Sequence, residues 1–185
     1  MYSGNVGLSQ SFALVRHAAQ RFASNEDVVF LINGEGAARP EVDQWAAKMP
    51  NVITNDFGPA SELSDVLGTA DVQLILLKRG LAKSSTPSKL YGILSAARPV
   101  VASIDENSEI SSVIAAADCG LAVGPEDPEA FVEAVAQMVA TSRSDLELMG
   151  KKGRRFAEGW MTASEQARAY LELFTKLIAK GNHRG

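Results

Sequence analysis

Two spacings of apolar residues alternate along this chain. Compact runs at 28–32, 52–54, 72–77, 99–103 and 120–123, most of them rich in branched residues, predict strands. Between them, 8–22, 40–48, 60–67, 87–96 and 108–116 place apolar residues on one helical face, several opening on Ser, Pro or an acidic residue suited to a helix start. Beyond the last strand the pattern is helical only, over 128–140, 144–158 and 162–180, the first begun by Glu126-Asp127-Pro128 and the second by Ser144-Asp145. Repeated strand–helix units predict an α/β domain: a mostly parallel sheet with helices on both faces, followed by an all-helical carboxyl-terminal part. Residues 181–185 read as a frayed tail. Met1-Tyr2-Ser3 is only the last part of a strand before a Gly4-Asn5-Val6-Gly7 turn, so the chain reads as cut from something longer.

At 185 residues the chain has the length of one such domain, and no repeat, low-complexity segment or linker divides it. A net charge of -4, with Lys and Arg scattered, lacks the basic stripe of a nucleic-acid binder. The single Cys119 forms no internal disulfide, and one thiol with His17 and His183 makes no clustered zinc site. A reducing, cytoplasmic setting fits. No apolar run approaches the roughly 20 residues of a membrane span, and the first residues lack the basic and apolar regions of a signal peptide.

Candidate chemistry gathers where predicted strands end. The turn Ser3-Gly4-Asn5-Val6-Gly7-Leu8 leads from strand to helix, where glycines allow a tight turn and free N–H groups favour an anion such as phosphate; plain turn geometry is the competing reading. Gly34-Glu35-Gly36 is an incomplete dinucleotide fingerprint, with Arg39 where a third glycine is expected, and reads as a flexible loop at the carboxyl edge of the sheet. Ser84-Ser85-Thr86-Pro87-Ser88-Lys89 runs a hydroxyl-rich loop into a helix with Lys in its first turn. A cation there opposes the helix dipole by about 0.3 to 1 kcal/mol, which an intervening anionic ligand explains; an exposed, solubilising lysine is the alternative. Ser108 reads as a helix cap, leaving Glu106 and Glu109 as hydroxyl acceptors, and Cys119 reads as core.

Six segments together carry a family resemblance: Tyr2-Ser3-Gly4-Asn5-Val6-Gly7; Gly34-Glu35-Gly36; Asn51-Val52 through Phe57-Gly58; Ala70-Asp71-Val72; Pro87-Ser88-Lys89-Leu90-Tyr91-Gly92-Ile93-Leu94 with Arg98-Pro99-Val100-Val101; and Cys119-Gly120-Leu121 with Pro125-Glu126-Asp127-Pro128. The chain resembles the carboxyl-terminal domain of two-domain GT-B glycosyltransferases, family 4, of the bacterial O-antigen and colanic-acid type. The resemblance implies a Rossmann-like, nucleotide-sugar-binding domain lacking its amino-terminal acceptor domain, and a retaining transfer from a nucleotide-sugar, UDP-sugar above others. By that likeness the diphosphate meets Gly4, Asn5, Gly7, Ser88 and Lys89, the base meets Phe57, Gly58 and Pro59, and the sugar faces Ser84, Ser85 and Thr86. No cofactor or metal is implied, and catalytic residues are not assigned. Peripheral membrane association is left open for the full enzyme.

Two departures stand out. The two glutamates that many relatives place eight residues apart are Ser84 and Gly92 here, so Glu106 or Glu109 is left to meet the ribose; an Arg and a Lys of the first turn are Asn5 and Gln10. In relatives the last helix returns towards the other domain, which leaves Ala167, Leu171 and Phe174 partly exposed or in a self-contact. Half of a UDP-sugar 2-epimerase and a non-catalytic nucleotide- or protein-binding module are the alternatives. No histidine falls in a site loop, which counts against epimerisation.

Overall fold

In the computed structural model, residues 1–81, 89–160 and 163–181 are described. Strands β1 (Tyr2–Ser3), β2 (Phe30–Asn33) and β3 (Val52–Asn55) pair in parallel in that order, as do β4 (Gln73–Leu76), β5 (Val100–Ser103) and β6 (Gly120–Val123). The two triplets meet at Met1. Its ammonium donates to the Val72 carbonyl at 2.7 Å, and its carbonyl accepts the Leu74 N–H at 2.7 Å. The strands therefore succeed one another as β3-β2-β1-β4-β5-β6, with the order reversing between β1 and β4. This is the doubly wound arrangement, in which ligands sit beyond the carboxyl ends of the strands at the reversal.

Helices α1 (Phe12–Arg21), α2 (Arg39–Ala46), α3 (Leu63–Thr69), α4 (Lys89–Ser95), α5 (Glu109–Ala117), α6 (Pro128–Ala140), α7 (Arg143–Trp160) and α8 (Ala163–Gly181) follow in chain order. The period of two in the strands divides their side chains between two cores. Leu74, Leu76 and Val101 face one core with Tyr2, Ile32 and Phe131, while Ile75, Leu77, Val100 and Ala102 face the other with Leu90, Leu94 and Ile114. β4 and β5 are buried along their whole length, as parallel strands covered on both faces are.

Ser108 and Asp127 cap α5 and α6, accepting the N–H groups of Ser111 at 3.2 Å and Ala130 at 2.9 Å. Cys119 is buried, and burial pushes its thiol up to about 11. Helix α1 begins four residues later than the apolar pattern predicts. The Gln10 side chain accepts the Gly7 N–H at 3.0 Å and the Ser9 carbonyl accepts the Lys78 N–H at 2.9 Å, so 7–10 stays a loop. β2 begins two residues late because Val28 closes a turn onto the Asn25 carbonyl at 3.2 Å.

Among the described residues no helix is long and apolar enough to cross a membrane. Helix α8 leaves a row of large apolar side chains in solvent, with Leu171 67% and Phe174 55% exposed, the first of the two outcomes, exposure or a self-contact, that the resemblance implied.

Helix α7 packs closely against α4 and the turn after it only because it carries glycines at the contact. A Cβ at Gly150 would overlap the Ala97 carbonyl, and one at Gly153 would lie 2.8 Å from Leu94 Cδ2 and 2.9 Å from Cys119 Cβ. Gly150→Ala should therefore lower stability by about 1 to 3 kcal/mol, the usual cost of overpacking. A urea melt matching wild type would show that α7 sits farther from the α4–β5 turn than described.

Candidate functional site

The loops after β1 and β2 lock into each other. The Gly4 N–H donates to Asn33 O at 2.9 Å, Val6 N–H to Glu35 O at 2.8 Å, and Ala38 N–H to Val6 O at 2.9 Å. Gly34 and Gly36 make the approach possible: each has φ near +140° to +150°, and a Cβ on either would overlap a carbonyl oxygen, that of Gly4 or of Val6. Gly34-Glu35-Gly36 is thus an interlocked wall, and the flexible loop expected from the sequence is corrected.

Arg39 fastens that wall. Its guanidinium donates to the Gly34 carbonyl and, at 2.9 Å, to the Asn55 carbonyl, and it pairs with Asp43 at 2.7 Å and Asp56 at 3.1 Å. The ends of β2 and β3 and the first turn of α2 are held by one side chain. A planar fork of fixed donors suits this job, which a lysine would perform poorly.

Directly over the Gly4 turn lies Lys89. Its Nζ stands 3.5 Å from the centroid of the Tyr2 ring, and its Cε and Nζ fill the space 2.7 and 2.6 Å from where a Gly4 Cβ would be. The Tyr2 hydroxyl donates to the Asn5 carbonyl at 2.6 Å. Burial lowers the lysine to about 7. The alternative of an exposed, solubilising lysine is therefore corrected: Lys89 is packed on an aromatic face at the strand reversal. Gly7 does not offer a free amide either, since Gln10 caps it. Asn5 is exposed.

Around this centre, Phe57 is half exposed with its ring beside Gly34, and Gly58 and Pro59 are exposed next to it. Glu109 accepts the Tyr91 hydroxyl at 3.1 Å and so stands beside α4, whereas Glu106 is exposed and accepts from Ser111 through its backbone. Ser84, Ser85, Thr86 and Ser88 lie outside the described residues. The loop after β4 is tied to its neighbours: Gly80 N–H reaches the Asp105 carboxylate at 3.0 Å and Arg79 donates to the Pro125 carbonyl at 3.0 Å. Among the described residues no group of His, Cys, Asp and Glu could hold a metal ion. A groove of about 460 Å³ opens at the opposite, amino-terminal edge beside Val29, Leu31 and Val72; it is lined by strand starts rather than by the loops where this fold class takes ligands.

Residues 2–141 match the model of the family described as Glycosyl transferases group 1. The chain belongs to the group 1 glycosyltransferases. This group 1 domain is 29% identical over 147 residues to the probable glycosyltransferase WbjE of Pseudomonas aeruginosa, covering 78% of the chain and 36% of that protein. It is 29% identical over 140 residues to the putative colanic acid biosynthesis glycosyl transferase WcaI of Escherichia coli (strain K12), covering 74% of the chain and 34% of that protein. The chain thus spans about a third of the length of these relatives. Among solved structures it shares the fold of a mutant of S. aureus TarM in complex with fondaparinux, alpha-GlcNAc-glycerol and UDP, with a TM-score of 0.72 at 16% identity, covering 94% of this chain and 35% of that one.

Within this group 1 domain, the roles of Tyr2 and Arg39 escaped the sequence reading. Arg39 carried a signal, an Arg at a helix start four residues before Asp43, the spacing of a helical ion pair. Tyr2 read as a strand residue at the head of a family segment, with no role of its own.

The burial of Lys89 sets a pH dependence. The unfolded chain keeps this proton up to about 10.5, while the fold gives it up near 7, so the unfolded state binds more protons across that window. Stability should rise with pH between those values, and Lys89→Met should flatten the rise. Equal slopes of unfolding free energy against pH in the two proteins would mean that Lys89 is solvated.

Proposed function

We propose that this group 1 domain is the donor-binding half of a retaining, family 4 glycosyltransferase of cell-surface polysaccharide synthesis, with a UDP-sugar as donor. One observation carries the reading: the Lys89 ammonium is held over the Gly4–Asn5 turn, at the reversal of strand order where an α/β sheet takes its ligand. The name of WcaI supports the pathway, that of WbjE supports glycosyl transfer, and UDP in the TarM complex supports the nucleotide.

In this reading the diphosphate lies against Gly4, Asn5 and Lys89, with Gly7 available once Gln10 releases its amide, and Ser88 completes the set. The base lies on the wall at Phe57, Gly58 and Pro59. When the bond between sugar and diphosphate breaks, negative charge grows on the departing phosphate oxygen. A fixed cation in a partly desolvated pocket stabilises that charge more in the transition state than in the ground state, without calling on a metal. Glu109, beside α4, is the better placed of the two glutamates for the ribose.

The acceptor belongs to a second domain. The chain spans about a third of its relatives, and the apolar row on α8 supports a second domain packing nearby. Positioning donor carbon and acceptor hydroxyl together can supply about 7 to 11 kcal/mol of barrier reduction. The isolated chain should therefore transfer no sugar at a useful rate; labelled product accumulating from donor and lipid-linked acceptor at an ordinary enzymatic rate would overturn this.

Donor binding itself is tested by a thermal-shift screen of UDP-, GDP-, ADP- and dTDP-sugars without added metal. Ligand at 100 times its dissociation constant should add about 2.7 kcal/mol. Lys89→Ala should lose about 1.5 to 3 kcal/mol of nucleotide affinity, the worth of a charge-assisted contact, and far less in folding. Melting curves unmoved by any nucleotide, or equal affinity in the variant, would remove the site or the lysine from it.

A further inference from the structure

We infer that Tyr2 is a positioning residue of this site: its ring holds the Lys89 ammonium and its hydroxyl holds the Asn5 carbonyl, so that cation and turn stand together before a diphosphate arrives. The inference rests on the donor reading above. Tyr2 has none of its surface exposed, and an aliphatic side chain or a phenylalanine would serve as core there. Two features are left over by a packing role. The hydroxyl donates to the backbone carbonyl of Asn5, inside the turn, at 2.6 Å. The ring face carries the Lys89 Nζ 3.5 Å from its centroid, and among the described residues no carboxylate pairs with that ammonium.

The ring itself is fixed. Phe12, the first residue of α1, meets it edge-on, with centroids 4.9 Å apart and planes at 78°. The negative face of an aromatic ring attracts a cation without neutralising it, as a carboxylate would. The lysine is therefore localised without a counter-charge that an arriving anion would have to displace. A carboxylate in the same place would compete with the phosphate. Preordering a long, flexible side chain removes part of the entropy loss on binding.

The test is UDP titration by calorimetry of the whole chain as wild type, Tyr2→Leu, Tyr2→Phe, Lys89→Met and the double variant Tyr2→Leu with Lys89→Met. Tyr2→Leu should weaken UDP binding about five- to tenfold, in line with a partly desolvated cation–π contact. Tyr2→Phe, which keeps the ring, should lose less. In the Lys89→Met background, the leucine should cost much less than it does in wild type, because Tyr2 acts through the lysine. A residue with only a structural role would cost the same in both backgrounds. If Tyr2→Leu does not fold, the NMR signals of the Lys89 ε-methylene decide the matter. They should be shifted upfield by the ring in wild type and Tyr2→Phe, and stay so at saturating UDP. Equal or tighter UDP affinity in Tyr2→Leu, additive costs in the double variant, or an upfield shift that is absent or vanishes on UDP binding would each overturn the inference while leaving the donor site standing. A wild type that binds no UDP overturns both.

Discussion

The backbone of Met1, Tyr2 and Ser3 holds the two halves of the sheet together. Met1 exchanges hydrogen bonds with Val72 and Leu74 on one side, while Tyr2 and Ser3 lie in register with Ile32 and Asn33 on the other. That register sets Gly4 against Asn33 and Gly34, which determines where the turn stands and so where Lys89 can rest. A slip of one residue would turn Tyr2 to the opposite face of the sheet and take both the Phe12 contact and the lysine platform with it. A two-residue strand therefore carries the registration of a six-strand surface.

Much of the architecture was legible in the sequence because burial on both faces leaves little choice. The run around Leu74 and Ile75 has no polar face, and only a strand between two helical layers can use it. The caps at Ser108 and Asp127 were equally plain, since a short acceptor side chain before an apolar periodic stretch has few other roles. Boundaries were less so. The start of α1 is decided by Gln10 and by Lys78, about seventy positions away, and such tertiary hydrogen bonds leave no mark in local periodicity.

The site divides along the same line. The sequence pointed to Gly4 and to Lys89 because glycine at a strand end and a cation at a helix start are locally odd. It gave no sign that Tyr2 carries the lysine on its ring, because a tyrosine in a strand is ordinary and only the fold shows what crosses its face. Gly34 and Gly36 were read as looseness, yet here they mark crowding. A missing side chain permits both, and only the neighbouring carbonyls tell them apart.

The clamp at Arg39 gives the crevice an uneven stiffness. Fixing one residue's backbone costs about 1 to 2 kcal/mol in lost freedom, and for 33–39 and 55–56 folding has already met much of it through a single guanidinium and its four partners. A molecule settling on that side finds its shape dictated in advance and must bring a matching outline of its own. Recognition on that side would be that of a mould.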